Sequence, residues 1–322
     1  MASFWKSLSR PFFVLAPMED VTDTVFRRVV ASCGRPDVMV TEFTSVEGLA
    51  SEGHSKVVHR LQYTEEERPL VAQIWGITPE NYYQAAQFAK SKSFDGLDIN
   101  MGCPVRKIIK QGACSALIQD PKLAAEIIQA AKEGAGDMPV SVKTRIGFNQ
   151  IATEEWAGHL LEQDIEVLTM HGRTVKDMSK VPARWEEIGK VVSLKNQMGK
   201  DTLIVGNGDI ETREQGLAMV EQYGVDGIMV GRGIFKNPWL FHPNIDPQDI
   251  TLEMKLDKLV EHVTLFDQTW GSRKNFSIMK KFFKVYISDF PGASDLRSHL
   301  VQYDTADEVL KHLATFRDQA HM

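Results

Sequence analysis

One cysteine lies in a sequence context that favours chemistry as much as packing. Cys103 stands between Gly102 and Pro104, shortly after the apolar run of residues 96–99, which has the length of a buried strand. In parallel α/β proteins the loops after the carboxyl ends of strands carry the reactive groups. A lone cysteine is otherwise a small buried apolar residue. The restricted backbone around Cys103, together with nearby Asn100, keeps both interpretations open at this point.

Polar residues also follow the other apolar runs of the chain. Lys143 and Arg145 alternate with apolar neighbours in residues 140–146, and His171 ends the run 167–170. A paired structural lysine and a satisfied core histidine are the alternatives, because charges are seldom buried alone and histidine burial is intermediate. The strand-end set is Pro17, Met18, Glu42, Gln73, Asn100, Cys103, Lys143, Arg145, His171, Arg173, Asn207, Gly208, Gly231 and Arg232. Their joint occurrence favours one shared site.

Two glycine-containing loops predict a phosphate site. Gly206-Asn207-Gly208 and Gly231-Arg232-Gly233 follow the last two apolar runs, where barrel proteins often bind phosphate through backbone N–H groups. There is no P-loop lysine and no full Gly-x-Gly-x-x-Gly, which argues against a nucleoside triphosphatase. Flavin mononucleotide (FMN) fits this combination of a predicted phosphate site, a lysine, a thiol and amide donors. Lys143 would lie near ring N1 and O2, Gln73 at the ring's amide edge, and Cys103 would face the substrate.

The elements that would position these residues alternate between strands and helices. We predict strands at 12–18, 38–43, 70–75, 96–100, 140–146, 167–170, 203–205 and 227–230, and helices at 24–32, 79–90, 121–132, 154–163, 185–197 and 212–223. Thr78 and Thr212 are the predicted caps of two of these helices. Runs that are apolar on both faces, joined by helices, indicate a parallel sheet. Eight units over about 235 residues match a TIM (β/α)8 barrel. The rival, a doubly wound open sheet, would carry a dinucleotide fingerprint where this chain has Pro17-Met18-Glu19-Asp20.

The pattern changes near Pro238, and Pro243 and Pro247 mark a linker. Only helical signals follow, at 252–269, 276–288 and 306–316. We therefore predict an α/β protein with a barrel at residues 1–245 and a small all-α domain at residues 246–322.

Composition limits the class of protein. The 322 residues are 43% apolar and carry a formal charge of −6, so there is no global attraction to nucleic acid. Three cysteines without paired spacing argue against disulfides and zinc clusters and fit a reducing cytoplasm. The N-terminal residues do not match a signal segment, and no apolar run approaches the roughly 18 residues of a membrane span. We expect a cytoplasmic protein with no bound metal and no membrane contact.

These residues together make the chain similar to the tRNA-dihydrouridine synthase family. The shared pieces are Ala16-Pro17-Met18, Val21-Thr22-Asp23, Thr41-Glu42, Gln73, Asn100-Met101-Gly102-Cys103-Pro104, Lys107, Lys143-Thr144-Arg145, His171-Gly172-Arg173-Thr174, Gly206-Asn207-Gly208-Asp209-Ile210 and Gly231-Arg232-Gly233. The resemblance implies an FMN-containing barrel, a helical domain that helps to bind tRNA, and NADPH as reductant. The implied reaction is reduction of the C5–C6 double bond of a uridine.

The resemblance also implies roles for single residues. FMN would be held by Pro17, Met18, Glu19, Gln73, Lys143, His171, Asn207, Gly208, Asp209, Gly231 and Arg232. Cys103 would protonate C5 after hydride reaches C6, while Asn100 and Arg145 would line the uracil pocket. A free thiol has a pKa of roughly 8.5, so it can donate a proton near neutrality without tuning. The chain departs from the family pattern at Glu19-Asp20, which we expect to affect local backbone contacts to the flavin. It also departs at residues 110–114 and 177–184, which we expect to affect which uridine is reached.

A basic segment supports an RNA substrate. Residues 268–288 contain no acidic side chain and five cations, which are Arg273, Lys274, Lys280, Lys281 and Lys284. We assign the cations to phosphate contacts and the interleaved aromatic residues to the core. The RNA would be recognised mostly by shape, with one base turned out of its stack.

Two alternatives remain at this stage. The first is an FMN-dependent barrel oxidoreductase that acts on a small molecule, of the dihydroorotate dehydrogenase or ene-reductase type. The basic segment argues against it, because a small substrate does not require such a surface. The second is a non-catalytic tRNA-binding protein, disfavoured because Cys103 and Lys143 are both present. We expect a monomer.

Overall fold

The protein packs as two compact units. The computed structural model describes residues 3–320, of which residues up to Thr24 and from Pro36 to Gly233 form the first unit. The second unit contains Val25–Arg35 and the chain from Ile234 onward. The predicted barrel domain ends at residue 245, and the division of roles between the two domains stays a prediction.

The first unit is a closed parallel barrel, which confirms the predicted fold class. Its strands are β1 (Phe12–Leu15), β2 (Val38–Val40), β3 (Thr44–Ser45), β4 (Leu70–Trp75), β5 (Gly96–Met101), β6 (Val140–Arg145), β7 (Val167–His171), β8 (Leu203–Asn207) and β9 (Gly227–Val230). Strand β1 pairs with both β2 and β9, β2 pairs with β4, and each later strand pairs with the next. The ring is therefore complete without the two-residue β3.

The second barrel strand is shorter than predicted because a side chain takes over its hydrogen bonding. Strand β2 ends at Val40, and β3 resumes the pairing with β4 at Thr44. Between them, the Thr41 hydroxyl accepts the backbone N–H of Gln73 at 3.0 Å. This bond replaces a ladder bond, so the backbone of residues 41–43 leaves the strand direction.

The barrel interior changes from apolar to polar along the strands. Successive residues of a strand alternate sides, so Val71 and Gln73 both face inward, as do Val205 and Asn207. Near the amino ends of the strands the buried core includes Phe12, Val14, Val71, Val167, Leu203 and Val205. Trp5, on a short helix that was not predicted, is 3% exposed and belongs to this cluster. The polar inward residues named above lie toward the carboxyl ends.

The α-helices follow the predicted order with additional short segments. They are α1 (Phe4–Ser7), α2 (Thr24–Cys33), α3 (Val46–Leu49), α4 (His54–Val57), α5 (Pro79–Ser91), α6 (Arg106–Ile109), α7 (Pro121–Ala135), α8 (Thr153–Leu161), α9 (Trp185–Gln197), α10 (Arg213–Tyr223), α11 (Leu252–Trp270), α12 (Phe283–Tyr286), α13 (Ala293–Leu300) and α14 (Ala306–Ala320). Turns of 3₁₀ helix cover Val58–Leu61, Glu65–Glu67, Cys114–Gln119, Arg232–Phe235, Pro247–Asp249, Gly271–Arg273 and Phe276–Phe282.

Local capping explains several of these boundaries. The predicted Thr212 cap is confirmed, since its hydroxyl accepts the Gln215 N–H at 3.1 Å. Thr78 occupies the N-cap position of α5 as predicted, but its side chain makes no cap bond, and its N–H donates to Glu47 at 3.2 Å. Pro79 nevertheless occupies the first turn, where its missing N–H costs nothing.

The second unit is helical and includes α2 from the early part of the chain. Within it, the Phe26 ring stacks on Phe282 with centroids 5.1 Å apart. The helix predicted at 276–288 is divided into a 3₁₀ turn and α12. Phe276, Met279 and Phe282 are all buried at a spacing of three, which matches the three residues per turn of a 3₁₀ helix. Helix α13 was not predicted. None of the helices in residues 3–320 is both long and apolar enough to cross a membrane.

A pair of helix glycines gives a test of how the barrel helices pack. We predict that Gly134→Ala in α7 destabilises the protein by about 1–3 kcal/mol, because overpacking forces backbone shifts. A Cβ at Gly134 would lie 2.2 Å from the Tyr83 carbonyl oxygen of α5. The matched variant is Gly158→Ala in α8, where the nearest atom would be 3.6 Å away. It should stabilise by about 0.5–1 kcal/mol through helix propensity.

Urea unfolding followed by circular dichroism measures both changes. Equal and favourable changes for the two variants would contradict the close α5–α7 approach.

Candidate active site

Strand register brings the cysteine and the lysine to the same end of the barrel. Asn100 on β5 pairs with Lys143 on β6, and Cys103 follows three residues after Asn100. The Asn100 side-chain carbonyl accepts the N–H groups of Gly102 and Cys103, each at 3.0 Å. The Ser115 hydroxyl donates to the Cys103 carbonyl at 2.8 Å. Side chains therefore fix the turn that carries the thiol.

The Arg145 guanidinium joins this turn to a second loop. Its Nε donates to the Gly102 carbonyl at 2.7 Å, and its Nη1 donates to the Thr174 and Met178 carbonyls at 3.1 and 3.2 Å. Arg145 is 7% exposed, and burial lowers its pKa to about 10, so it stays charged near neutrality. Several of its N–H groups thus hold backbone around the place where the sequence predicts a uracil pocket.

A second cysteine, Cys114, lowers the pKa of Cys103. Cys114 is buried and its thiol donates a hydrogen bond to Cys103, which is the largest cause lowering the pKa of Cys103 to about 7. Burial opposes this shift, whereas the Val105 N–H and the Arg145 charge reinforce it. Burial raises the pKa of Cys114 well above its usual range, so Cys114 keeps its proton. Cys114 has a φ of 53°, an unusual backbone conformation for a residue other than glycine.

Lys143 lies at the centre of the polar end of the barrel. Its ammonium donates to the Asn207 Oδ1 at 3.2 Å, and the Asn207 Nδ2 donates to the Met229 carbonyl at 2.8 Å. Burial is the main cause that lowers the pKa of Lys143 to about 8, and nearby Arg145 adds to it. Asp98 and Cys103 act in the opposite direction. Lys143 therefore remains largely cationic near neutrality.

A second cluster follows β7 and β8. Arg173 is 3% exposed, and its guanidinium lies 3.2 Å from the His171 Nε2 and 2.5 Å from the Asp209 carboxylate. A guanidinium can only donate, so Nε2 is the accepting nitrogen of His171. Burial, followed by the charges of Lys143 and Arg145, lowers the pKa of His171 well below its usual range. His171 is therefore a neutral ring.

Asp209 anchors cations in this cluster. Its Oδ2 also accepts the Ala183 N–H at 2.9 Å, and its Oδ1 lies 4.0 Å from the Arg232 guanidinium. Burial raises the pKa of Asp209, but the Arg173 bond and other contacts outweigh it, so the net shift is downward. The Arg232 side chain is 66% exposed. Arg232 is thus an exposed cation at the mouth, beside the ion pair between Arg173 and Asp209.

Glycines leave room next to these cations. A Cβ added at Gly231 would meet nothing closer than the Ala16 Cβ at 3.8 Å and the Met18 Sδ at 4.0 Å. Gly208 has a φ of 136°, and a Cβ there would lie 2.5 Å from the Ala183 Cβ. The two predicted glycine loops therefore differ in kind, since a Cβ at Gly231 would make only ordinary van der Waals contacts, whereas Gly208 is required by backbone conformation and close packing.

The loop after β1 contains Glu19-Asp20, where the chain departs from the family pattern. The Glu19 carboxylate accepts a 2.8 Å bond from Arg60, a residue that the sequence did not point to. The Asp20 N–H donates to Glu42 at 2.6 Å, and Asp20 has a φ of 56°. The Met18 N–H is bonded to Thr22 at 2.9 Å. The unusual acidic pair is thus built into its own hydrogen-bond network at the mouth.

The five predicted RNA-binding cations lie in the second unit. Lys274 and Arg273 lie over the Trp270 ring, at 3.8 and 5.3 Å from its centroid. Lys280 forms a 2.8 Å ion pair with Asp304. Lys281 lies 5.1 Å from the Phe282 centroid, and Lys284 is exposed.

Four residues at or below the barrel mouth were not predicted from the sequence. They are Arg60, Asp98, Cys114 and Ser141. Asp98 alternates with Asn100 and therefore faces inward too, which is the signal that could have identified it. Nothing in the spacing of Cys114 indicated its contact with Cys103.

Comparison with known proteins identifies the family of the chain. The dihydrouridine synthase (Dus) family profile matches residues 14–321. The chain is 48% identical over 317 residues to "Probable tRNA-dihydrouridine synthase 2" of Bacillus subtilis, covering 98% of this chain and 96% of that protein. It is 45% identical over 320 residues to a "Probable tRNA-dihydrouridine synthase" of Staphylococcus aureus strain MRSA252, with the same coverage.

Two solved structures share the fold. Morphinone reductase superposes with a TM-score of 0.51 at 14% identity, over 73% of this chain and 86% of that one. An old yellow enzyme homologue from Zymomonas mobilis gives 0.50 at 14% identity, over 71% and 86%. At this identity the likeness shows the barrel alone. The family profile and the two bacterial relatives cover nearly all of the sequence, and on that ground the chain belongs to the dihydrouridine synthase family.

Proposed function

We propose that this chain reduces the C5–C6 double bond of uridines in tRNA to dihydrouridine, with FMN in the barrel mouth and NADPH as electron donor. Its family membership and the names of its bacterial relatives support the reaction and the tRNA substrate. The observation that carries the proposal is the arrangement of Cys103 and Lys143 around one mouth, with a thiol whose pKa is about 7.

The residues at the mouth fit FMN by their chemistry. The exposed Arg232 guanidinium next to Gly231 suits a phosphate, and the Lys143 ammonium, which donates to the Asn207 amide, suits the N1–O2 edge of a flavin ring. We assign FMN binding to the predicted set of Pro17, Met18, Glu19, Gln73, Lys143, His171, Asn207, Gly208, Asp209, Gly231 and Arg232. When bound, FMN supplies the hydride for C6 of the uracil.

Within this set the residues divide by function. Asp209 would hold Arg173 and Arg232 in place, because its carboxylate is already bonded to Arg173 and the Ala183 N–H. Neutral His171 can share a hydrogen bond at the mouth without adding charge. Lys143 would favour negative charge on the ring edge, since its pKa of about 8 leaves it protonated at neutral pH.

Cys103 supplies the proton in this scheme. Its S–H bond breaks as the proton goes to C5, leaving a thiolate that the Cys114 thiol and the Arg145 charge stabilise. An acid is most effective when its pKa lies near the working pH, and a pKa of about 7 meets that condition. Asn100 and Arg145 both hold the turn that carries this thiol, and we assign to them the remaining wall of the uracil pocket.

Cations of the barrel unit offer phosphate contacts of their own. Arg106, Lys107 and Lys110 are on and next to α6, a few residues after Cys103, and all three side chains are exposed or half-buried. The second unit contributes Arg273, Lys274, Lys280, Lys281 and Lys284 to tRNA binding. A protein of formal charge −6 needs such local cations to hold RNA.

Thiol reactivity tests the Cys103–Cys114 pair. We predict that iodoacetamide alkylates Cys103 with a rate that rises through pH about 7, because the thiolate is the reacting form. Cys114→Ala removes the donated hydrogen bond and should move this midpoint upward, toward the ordinary thiol pKa of roughly 8.5. Cys33→Ala is the control, since burial raises the pKa of Cys33 to about 12. An unchanged midpoint in Cys114→Ala would contradict the assignment.

Replacement of the proposed acid tests the reaction itself. We expect Cys103→Ala to keep bound flavin, seen as absorbance near roughly 450 nm, and to lose about 10²–10⁴-fold in the rate of dihydrouridine formation on tRNA. Mass spectrometry of digested tRNA measures the product. Wild-type turnover in this variant would remove Cys103 from the mechanism, and a colourless wild-type protein that cannot be reconstituted would end the FMN proposal.

A charge reversal tests the RNA surface of the second unit. We predict that Lys284→Glu weakens tRNA binding and reduces its salt dependence, because each phosphate contact releases counterions. Lys311→Glu in α14 is the control, an exposed lysine paired with Asp307 in the same unit. Filter binding at several salt concentrations measures the effect. Equal losses in both proteins would mean that only net charge matters.

A further inference from the structure

Three neighbouring strands place a rung of buried polar side chains inside the barrel. The register pairs Gln73 of β4 with Asp98 of β5, and Asp98 with Ser141 of β6. All three are inward-facing, and none is more than 4% exposed. The Gln73 Nε2 donates to the Asp98 Oδ2 at 2.7 Å, and the Ser141 hydroxyl donates to the Asp98 Oδ1 at 2.5 Å. Both oxygens of the carboxylate are therefore used.

This rung determines which way two amides point. Burial raises the pKa of Asp98 to about 6, so its carboxylate is ionised at pH 7 and only accepts hydrogen bonds. The Gln73 NH₂ must therefore face Asp98, and its Oε1 must face away. That oxygen accepts the Asn100 Nδ2 at 3.0 Å. The Asn100 Oδ1 is consequently directed at the N–H groups of Gly102 and Cys103. A reversed Asn100 amide would instead point its NH₂ at two other donors, which is unfavourable in a buried site.

We propose that Asp98 is a positioning residue for the proposed acid Cys103, acting through Gln73 and Asn100 as a chain of directed hydrogen bonds. Asp98 does not touch the thiol. It orients the first amide, the first amide orients the second, and the second holds the turn. The inference rests on the proposed role of Cys103 in the reaction, but the geometry that it describes can be tested without tRNA.

The surroundings of Asp98 indicate which replacements separate orientation from charge. The Ser141 hydroxyl has a second acceptor, the Leu97 carbonyl at 3.3 Å. In Asp98→Asn the new side-chain oxygen can therefore accept from Gln73 while the new NH₂ donates to the Ser141 oxygen, which keeps the chain intact. Asp98→Ala leaves the Gln73 amide without its anchor. Lys143, the charged group attracted to Asp98, loses that attraction in both variants.

The primary experiment compares Asp98→Ala with Asp98→Asn in the full-length protein. The readout is the pH midpoint of Cys103 alkylation by iodoacetamide, together with amide hydrogen exchange in the 102–103 segment. We expect Asp98→Ala to move the midpoint upward from about 7 and to speed exchange at least roughly tenfold, the change that follows when a turn loses about 1.4 kcal/mol of stability. Asp98→Asn should stay within about threefold of wild type, because its hydrogen-bonded chain is unbroken.

The matched control is Ser141→Ala, which leaves the Gln73–Asn100 path in place. It should keep the wild-type midpoint and the wild-type exchange rate. A wild-type result in Asp98→Ala, or equal damage in Asp98→Asn and Asp98→Ala, would overturn the proposal.

A polarity swap keeps the test decisive if Asp98→Ala fails to fold. Asn100→Asp alone places Gln73 between two carboxylates and should disturb the turn. Adding Asp98→Asn reverses the direction of the hydrogen bonds. The amide introduced at position 98 would donate to the Gln73 Oε1, and the Gln73 Nε2 would donate to the carboxylate introduced at position 100. We expect the double variant to regain the wild-type exchange rate that Asn100→Asp loses. Absence of this rescue would refute the directed chain.

These readouts separate the inference from the proposed function. If the Asp98 variants behave as expected but the wild-type protein makes no dihydrouridine, the inference about the hydrogen bonds stands and the proposed function is rejected. If Asp98→Ala has an unaltered turn and forms dihydrouridine normally, the proposed function stands and the inference about Asp98 is rejected.

Discussion

Two backbone N–H groups bond to the carboxamide of Asn100, and the reactive end of the barrel is arranged around that contact. Gly102 is buried, and a buried N–H without a partner costs about 1–3 kcal/mol, so the turn has a clear energetic reason to stay where it is. Arg145 adds a bond to the Gly102 carbonyl from the neighbouring strand. The thiol of Cys103 is therefore carried by backbone that is held from both sides.

Charge is distributed unevenly around this turn. Lys143, Arg145, Arg173 and Arg232 gather at the polar end of the barrel, and their mutual repulsion is part of the reason that the pKa values of Lys143 and Arg145 fall. Burial, together with the same cations, lowers the pKa of His171 and keeps its ring neutral. Such a site is prepared for an anion, because a phosphate or a reduced flavin ring would relieve repulsion that the protein otherwise bears alone. The arrangement of the cations would therefore contribute part of the free energy for binding such an anion.

Much of this architecture follows from sequence pattern, and the exceptions have physical causes. Apolar runs separated by helical segments predict the barrel, and their ends predict the mouth residues, since strand direction alone brings those ends together. The interruption of β2 depends on the Thr41 hydroxyl replacing a backbone acceptor, which no periodicity reveals. The Cys103–Cys114 contact arises from the course of a loop. Asp98 was hidden because it lies within an otherwise apolar run, although its alternation with Asn100 was visible.

The membership of α2 in the second unit has a consequence for how the protein is made. Residues 25–35 leave the ribosome long before the chain that begins at Ile234, and at typical synthesis rates the delay is roughly 10–40 s. Throughout that interval the Phe26 side chain, fully buried in the finished protein, has no Phe282 to pack on. The nascent chain must therefore tolerate an uncovered apolar segment near its start, and a gene cut after Gly233 would make that temporary exposure permanent.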